Sequence, residues 1–200
     1  MGLFAQGDGT RCMAEAVERL TADYPLQMTF VVSMYNADGA LQFVDEGSLR
    51  LGEKQSSSLS EQYVLLMDNM KVWCDGHTLW SYMVPTNEVY ILSPDDESAR
   101  NFSPVHLMQL YKQGYSCNAK KCGDSNIVTI ESQDEESELS KVEVILNAST
   151  LRPEKIVVYM GNDGYAELKI ATYWPRCNFD SRIFSYPQQD YPDAELVDMR

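Results

Sequence analysis

The chain has 200 residues, enough to bury a substantial core in one domain. Thirty Asp and Glu against 16 Lys and Arg leave a formal charge of −14, which repels phosphate backbones and anionic lipid surfaces and excludes general nucleic-acid binding. At 44% hydrophobic and 23% charged the composition is that of a globular protein, and no apolar run approaches the roughly 18 residues that span a bilayer.

Residues 10–23 are predicted to be helical. Met13, Val17 and Leu20 recur on one face, Glu15, Glu18 and Arg19 lie elsewhere, and Pro25 stops the helix. The apolar period then changes to that of a strand. Met28, Phe30, Val32 and Met34 alternate with Thr29, Val31, Ser33 and Tyr35, and Asn36-Ala37-Asp38-Gly39 turns the chain. Leu41, Phe43, Leu49 and Leu51 continue on one parity, with a bulge expected at Asp45 and Gly47. Strands are expected at 63–67, 71–74, 78–84 and 88–92, joined by turns at Asp68-Asn69, Asp75-Gly76 and Pro85-Thr86-Asn87.

The middle of the chain breaks this pattern. Ser93-Pro94-Asp95-Asp96 and Ser103-Pro104 are both helix starts, a Ser cap followed by Pro at the first helical position. The second opens a short apolar helix carrying Val105, Leu107, Met108 and Tyr111. Strands resume at 115–118, 127–131, 141–146, 155–160 and 165–173, with Asn162-Asp163-Gly164 as a hairpin turn and Asp134-Glu135-Glu136 with Glu138 at a solvated loop tip. The expected class is mainly β (α+β): about ten strands in one antiparallel sheet, long enough that it must curl into a barrel or an open half-barrel. An N-terminal helix and a helical lid, residues 93–112, complete a single domain over 1–200.

Five cysteines are present, and Cys117 and Cys122 enclose only four residues. In an oxidising compartment these two are expected to form a disulfide across a tight loop. His77 falls in a hairpin turn and His106 in the helical insertion, neither within a nucleophile motif, and no Cys/His set has metal-ligand spacing. No metal, no cofactor and no catalytic residue is expected. The reading is a binder, not an enzyme.

An open barrel must cover its apolar face, either with its own helices or with a ligand. Alternation nominates Met28, Phe30, Val32, Met34, Leu49 and Leu51 as lining residues, together with Leu65, Met67, Val144, Leu146, Leu168 and Ile170. The stretch Val72-Trp73-Cys74-Asp75-Gly76-His77-Thr78-Leu79-Trp80-Ser81-Tyr82 resembles the Trp hairpin of the LolA-like periplasmic outer-membrane lipoprotein carriers. The continuation Thr86-Asn87-Glu88-Val89 and the segment from Phe184-Ser185-Tyr186-Pro187 to Glu195-Leu196-Val197-Asp198 extend the resemblance, as does the order of elements.

The resemblance implies an unclosed half-barrel with a hydrophobic cavity under a helical lid, to which Trp80 and Tyr82 contribute. It implies a monomeric periplasmic carrier, its signal peptide removed, although Met1-Gly2-Leu3-Phe4-Ala5-Gln6 shows neither a basic n-region nor an apolar h-region and also fits a cytosolic start. The implied partners are acylated lipoproteins or lipid, an inner-membrane ABC exporter of the Lol system and an outer-membrane acceptor. One departure stands out: where the best-known carriers place Lys-Arg-Pro after a Gly-x-Leu strand, this chain has Gly52, Glu53 and Lys54, and Arg50 is the nearest basic residue. A periplasmic module that senses lipids or lipoproteins with the same half-barrel is one alternative, and a hydrolase or lipid-modifying enzyme is another.

Overall fold

The computed structural model describes residues 6–53, 60–96, 115–133, 140–160 and 164–200. They form one α-helix, α1 (Gln6–Ala22), and one sheet of 12 strands. In chain order the strands are β1 (Leu26–Tyr35), β2 (Leu41–Leu51), β3 (Tyr63–Met67), β4 (Met70–Cys74), β5 (Leu79–Met83) and β6 (Glu88–Leu92). β7 (Ser116–Cys122), β8 (Ser125–Glu131), β9 (Lys141–Asn147), β10 (Pro153–Tyr159), β11 (Tyr165–Trp174) and β12 (Glu195–Asp198) follow. The order across the sheet is β12-β6-β5-β4-β3-β2-β1-β11-β10-β9-β8-β7, so the edge strands β12 and β7 do not pair and the sheet is not closed into a barrel. The expected mainly-β class with an open sheet and an N-terminal helix is the one observed.

Details differ from expectation. β12 runs parallel to β6, with Glu195 opposite Glu88 and Asp198 opposite Ile91, because the C-terminal tail returns to the sheet by a long connection and not by a hairpin. β2 runs through Asp45 and Gly47 unbroken. The register slips instead between Pro153 and Lys155, where proline has no N–H to offer the ladder.

The expected Cys117–Cys122 disulfide is not present, and both thiols are free. The two residues lie in one extended strand, β7, paired with β8 from Ser116 to Cys122. Five residues of strand span about 16 Å, far beyond the roughly 4–7 Å between the Cα atoms of bonded cysteines. The turn falls one residue later, at Gly123, whose φ of 59° suits glycine. The proposed lid begins with a turn at Ser93–Asp96, in which the Asp96 amide donates to the Ser93 carbonyl at 3.1 Å. Val105, Leu107, Met108 and Tyr111 lie outside the described residues, as do the acidic tip at 134–138 and the Asn162-Asp163 turn.

By its contacts the chain divides into two compact units. The first comprises described residues within 1–22, 30–45 and 105–171. There α1 buries Met13, Ala16 and Leu20 and lies against β7; of the forecast stripe Met13 and Leu20 are buried, while Val17 is half-buried and Ala16 takes its place. Its approach is set by Gly9: a Cβ at that position would sit 2.5 Å from the Cys117 carbonyl oxygen. Cross-strand registers put Leu168, Ile156, Val144, Val128 and Ala119 in one row of the sheet and Ala166, Val158, Val142, Ile130 and Cys117 in the next row of that face. The opposite face is polar and aromatic, with Lys155 paired to Glu167 at 2.9 Å and the rings of Tyr35 and Tyr165 stacked at 4.6 Å.

The second unit comprises described residues within 23–29, 46–104 and 172–200. Strands β3 to β6 form its centre, and 179–194 cross one of their faces as a strap. Phe184, buried at the end of a 3-10 turn (Ser181–Phe184) that Asp180 caps, is the strap's anchor. Tyr186 and Tyr191 meet the edge of Trp73 at 5.4 and 5.8 Å, and the ammonium of Lys71 donates to the Tyr191 hydroxyl at 3.0 Å.

Candidate functional site

The face of β3 to β6 away from the strap is the candidate site in the second unit. Side chains directly opposite one another in an antiparallel pair share a face, so the registers assign every position. Leu49, Leu65, Val72, Ser81 and Tyr90 form one row across β2 to β6, and Leu51, Tyr63, Cys74, Leu79 and Leu92 form the next row of that same face. Arg50, Val64, Trp73, Trp80 and Ile91, and then Ser48, Leu66, Lys71, Tyr82 and Val89, belong to the strap's face. β1 joins the same scheme: Arg50 Nε donates to Gln27 Oε1 at 3.1 Å, so Gln27 is on the strap's face and Leu26 and Met28 are on the other.

Five residues named from the sequence therefore come together here: Met28, Leu49, Leu51 and Leu65, all buried, and half-buried Met67. Trp80 and Tyr82 do not join them. Both pack with Trp73, Val89 and Phe184 beneath the strap, and Tyr82 stacks at 4.7 Å, tilted by 50°, on Tyr191. The most recognisable residues of the hairpin thus hold the C-terminal segment to the sheet, and that alternation removes them from the lining set.

The remaining named residues belong to the first unit. Val144, Leu146 and Phe30 are buried, Val32, Leu168 and Ile170 are half-buried, and Met34 is 38% exposed near the tip of the β1–β2 hairpin. Val144 and Leu168 share the row that ends at Ala119 on β7.

Sequence reasoning passed over Leu26, Tyr63, Val72, Leu79 and Leu92, which complete the second unit's face. The parity of Leu79 against Trp80 was the available signal, but the aromatic pair at 80 and 82 outweighed it. It named Asn87 only as part of a turn and of the resemblance; Asn87 adopts a left-handed φ of 57°, accepts from the Tyr82 hydroxyl at 3.0 Å and donates to the Asp193 carbonyl at 2.8 Å. Asn87 ties turn, strand and strap together.

The face is electrically quiet. Cys74 is fully buried; burial pushes its thiol up, outweighing the Gly76 amide and the Ser60 hydroxyl, which pull it down. It is a neutral side chain at neutral pH. His77 is exposed in a turn where Asp75 Oδ1 accepts from the His77 and Thr78 amides at 2.8 Å each; His106 lies outside the described residues. Among the described residues no group of three His, Cys, Asp or Glu could hold a metal ion. The described side chains of this face are mostly apolar and buried.

Comparison with known proteins gives this chain a family. The sequence profile described as "Outer membrane lipoprotein carrier protein LolA" matches residues 52–163, more than half of the chain, from just after β2 to just before β11. A domain described as an outer membrane lipoprotein-sorting protein, from Vibrio parahaemolyticus, superposes with a TM-score of 0.51 at 13% identity, covering 94% of this chain and 99% of that one. A DUF1329 family protein from Desulfovibrio piger also reaches 0.51, at 11% identity over 89% of this chain and 97% of that one. At such identities the two structures are similar in fold alone. Comparison with curated proteins returned no match. Open sheet, N-terminal helix and a profile match over β3 to β10 agree, and the chain belongs to the LolA family of outer membrane lipoprotein carrier proteins.

Proposed function

We propose that this protein is a periplasmic carrier that takes the acyl chains of lipoproteins against its apolar sheet face and ferries them from the inner to the outer membrane. The observation that carries this reading is the family match over residues 52–163, which spans the strands bearing Leu65, Val72 and Leu79. Its partners in this reading are acylated lipoproteins or lipid, an inner-membrane ABC exporter of the Lol system that loads it, and an outer-membrane acceptor that unloads it. The chain does no covalent chemistry and works as a monomer. Arg50 is committed to Gln27 on the strap's face, so it does not replace the basic latch of the best-known carriers, and cargo retention here relies on apolar contact.

Energetics favour partial burial. Each buried methylene contributes about 0.8 kcal/mol, so one 16-carbon chain supplies roughly 12 kcal/mol gross. Three fully buried chains would exceed the ceiling of roughly 18–21 kcal/mol seen for any non-covalent complex. A carrier must release, and a face that covers only part of each chain leaves cargo exchangeable.

The test is native mass spectrometry of the full chain purified from its own cells in mild detergent. Adducts with masses of lipids or acylated lipoproteins are expected. An adduct-free protein that also fails to enhance the fluorescence of 11-(dansylamino)undecanoic acid would overturn the reading.

A further inference from the structure

The open sheet has two edge strands, and they are not equally protected. β7 carries exposed Lys120 and Lys121, whose charges oppose strand addition, and α1 lies against its backbone at Gly9. β12 is different. The Glu195 amide donates to the Asn87 carbonyl and the Met199 amide to the Ile91 carbonyl, each at 2.9 Å. Residues of one parity make the bonds to a given neighbour. Glu195, Val197 and Met199 therefore turn their backbone groups to β6, and Leu196 and Asp198 turn theirs to the open side. The flanking amides are already bonded, Ala194 to the Tyr191 carbonyl at 3.3 Å and Arg200 to Asp198 Oδ1 at 3.1 Å. Among the described residues, no strand stands opposite the amides and carbonyls of Leu196 and Asp198.

The surroundings specify what fits there. Leu196 is 46% and Met199 56% exposed, and Leu196 shares the strap's face with Val89. Asp193 and Glu195 are exposed, and Glu195 lies opposite Glu88. Arg200 does not offset them, because its guanidinium is bound by both Asp198 oxygens at 3.0 and 2.7 Å. With a formal charge of −14 on the whole chain, this edge attracts a cationic segment and repels a second copy of itself.

We infer that β12 is a docking edge to which an extended basic segment of a partner protein adds an antiparallel strand. That strand exchanges backbone hydrogen bonds with Leu196 and Asp198, lays an apolar side chain against Leu196 and sets a lysine or arginine against Glu195. Main-chain bonds supply affinity in such pairing, and alternate side chains supply selectivity. The edge is separate from the apolar face of the carrier reading and does not depend on it.

The experiment titrates the full chain with fluorescein-labelled acetyl-Lys-Val-Lys-Val-Lys-Val-amide and reads anisotropy. Binding is expected, with the Leu196 and Asp198 amides gaining protection from hydrogen exchange by NMR. In the proposed register the valine amides point at β12 and the lysine amides at solvent. N-methylation of the valines is therefore expected to weaken binding roughly tenfold or more, and N-methylation of the lysines to leave it nearly unchanged. Leu196→Pro removes an outward amide from an edge strand, where proline is tolerated, and is expected to weaken binding roughly three- to tenfold. Leu196→Lys, which keeps the ladder to β6 and sets a like charge against the peptide, serves if proline disturbs β12, and is expected to weaken binding as well.

No binding, equal effects of the two methylations, or protection confined to other amides overturns the docking edge. A dimer of the chain in sedimentation velocity that Leu196→Pro dissolves overturns it too, since the edge then serves a second copy. None of these outcomes touches the carrier reading.

Discussion

At the scale of single residues, burial decides which cysteines can react. Cys74 and Cys117 are buried, Cys122 is exposed, and Cys12 and Cys177 lie between. Native alkylation followed by peptide mass mapping is expected to label Cys122 first and to spare Cys74 and Cys117 until the protein unfolds. A Cys117–Cys122 bond should not form under mild oxidation, because β7 holds the two apart. Burial also raises the Cys117 thiol from 9.0 to about 11, with the Thr10 hydrogen bond opposing the shift. A thiol whose folded value is raised stabilises the fold below pH 9 and loses that contribution as pH climbs toward 11, since the unfolded chain ionises first. The thermal midpoint should therefore fall between pH 9 and 11, and less steeply in Cys117→Ala. Asn87 has a different duty. Asn87→Ala strips the buried Tyr82 hydroxyl of its acceptor and the strap of a donor, and is expected to cost roughly 1–3 kcal/mol in urea unfolding. Neither role is visible in residue type: a thiol's burial and an amide's partners are properties of what folds over them.

At the scale of elements, two glycines set contacts that no larger residue permits. A Cβ at Gly52 would come within 2.7 Å of the Phe184 ring, so Gly52→Ala should displace the strap's anchor and destabilise by roughly 1–3 kcal/mol, read from the urea midpoint. Gly9→Ala should push α1 away from β7, because the neighbour it meets is backbone and cannot yield. The strap is the element that most changes the reading of the sequence. The turns between β3 and β6, the strand limits at 63–67 and 88–92, and Met13 and Leu20 as buried positions of α1 were legible, because each is set by local period and turn chemistry; the β7–β8 turn was not. Which face of β5 would be covered was not, since Trp80–Tyr82 and Leu79–Ser81 offer alternating rows of comparable claim. The covering came from residues a hundred positions away.

At the scale of the whole molecule, a ligand that binds only the folded state must stabilise it. At 100 times its dissociation constant, monolauroylglycerol should contribute about 2.7 kcal/mol, a rise of roughly 5–10 °C in Tm for a chain of this length. Scanning fluorimetry across a ligand series checks this, and an unchanged Tm with demonstrated soluble ligand would count against carriage. The charge of −14 predicts a further behaviour: the protein should not sediment with anionic phosphatidylglycerol vesicles.

Composition, period and turn residues determined by themselves that this chain makes a helix followed by a long, curled sheet of hairpin-joined strands, because hydrogen-bonded ladders and apolar stripes follow from neighbours in sequence. Tertiary structure alone decided that the tail returns parallel to β6, that Trp80 and Tyr82 serve the strap, that Cys117 and Cys122 share a strand, and that Ser81 is left unpaired on the apolar face. The physical reason is common to all four: a side chain's face is set by strand parity, but what meets that face is set by segments distant in sequence, whose arrival no local pattern encodes.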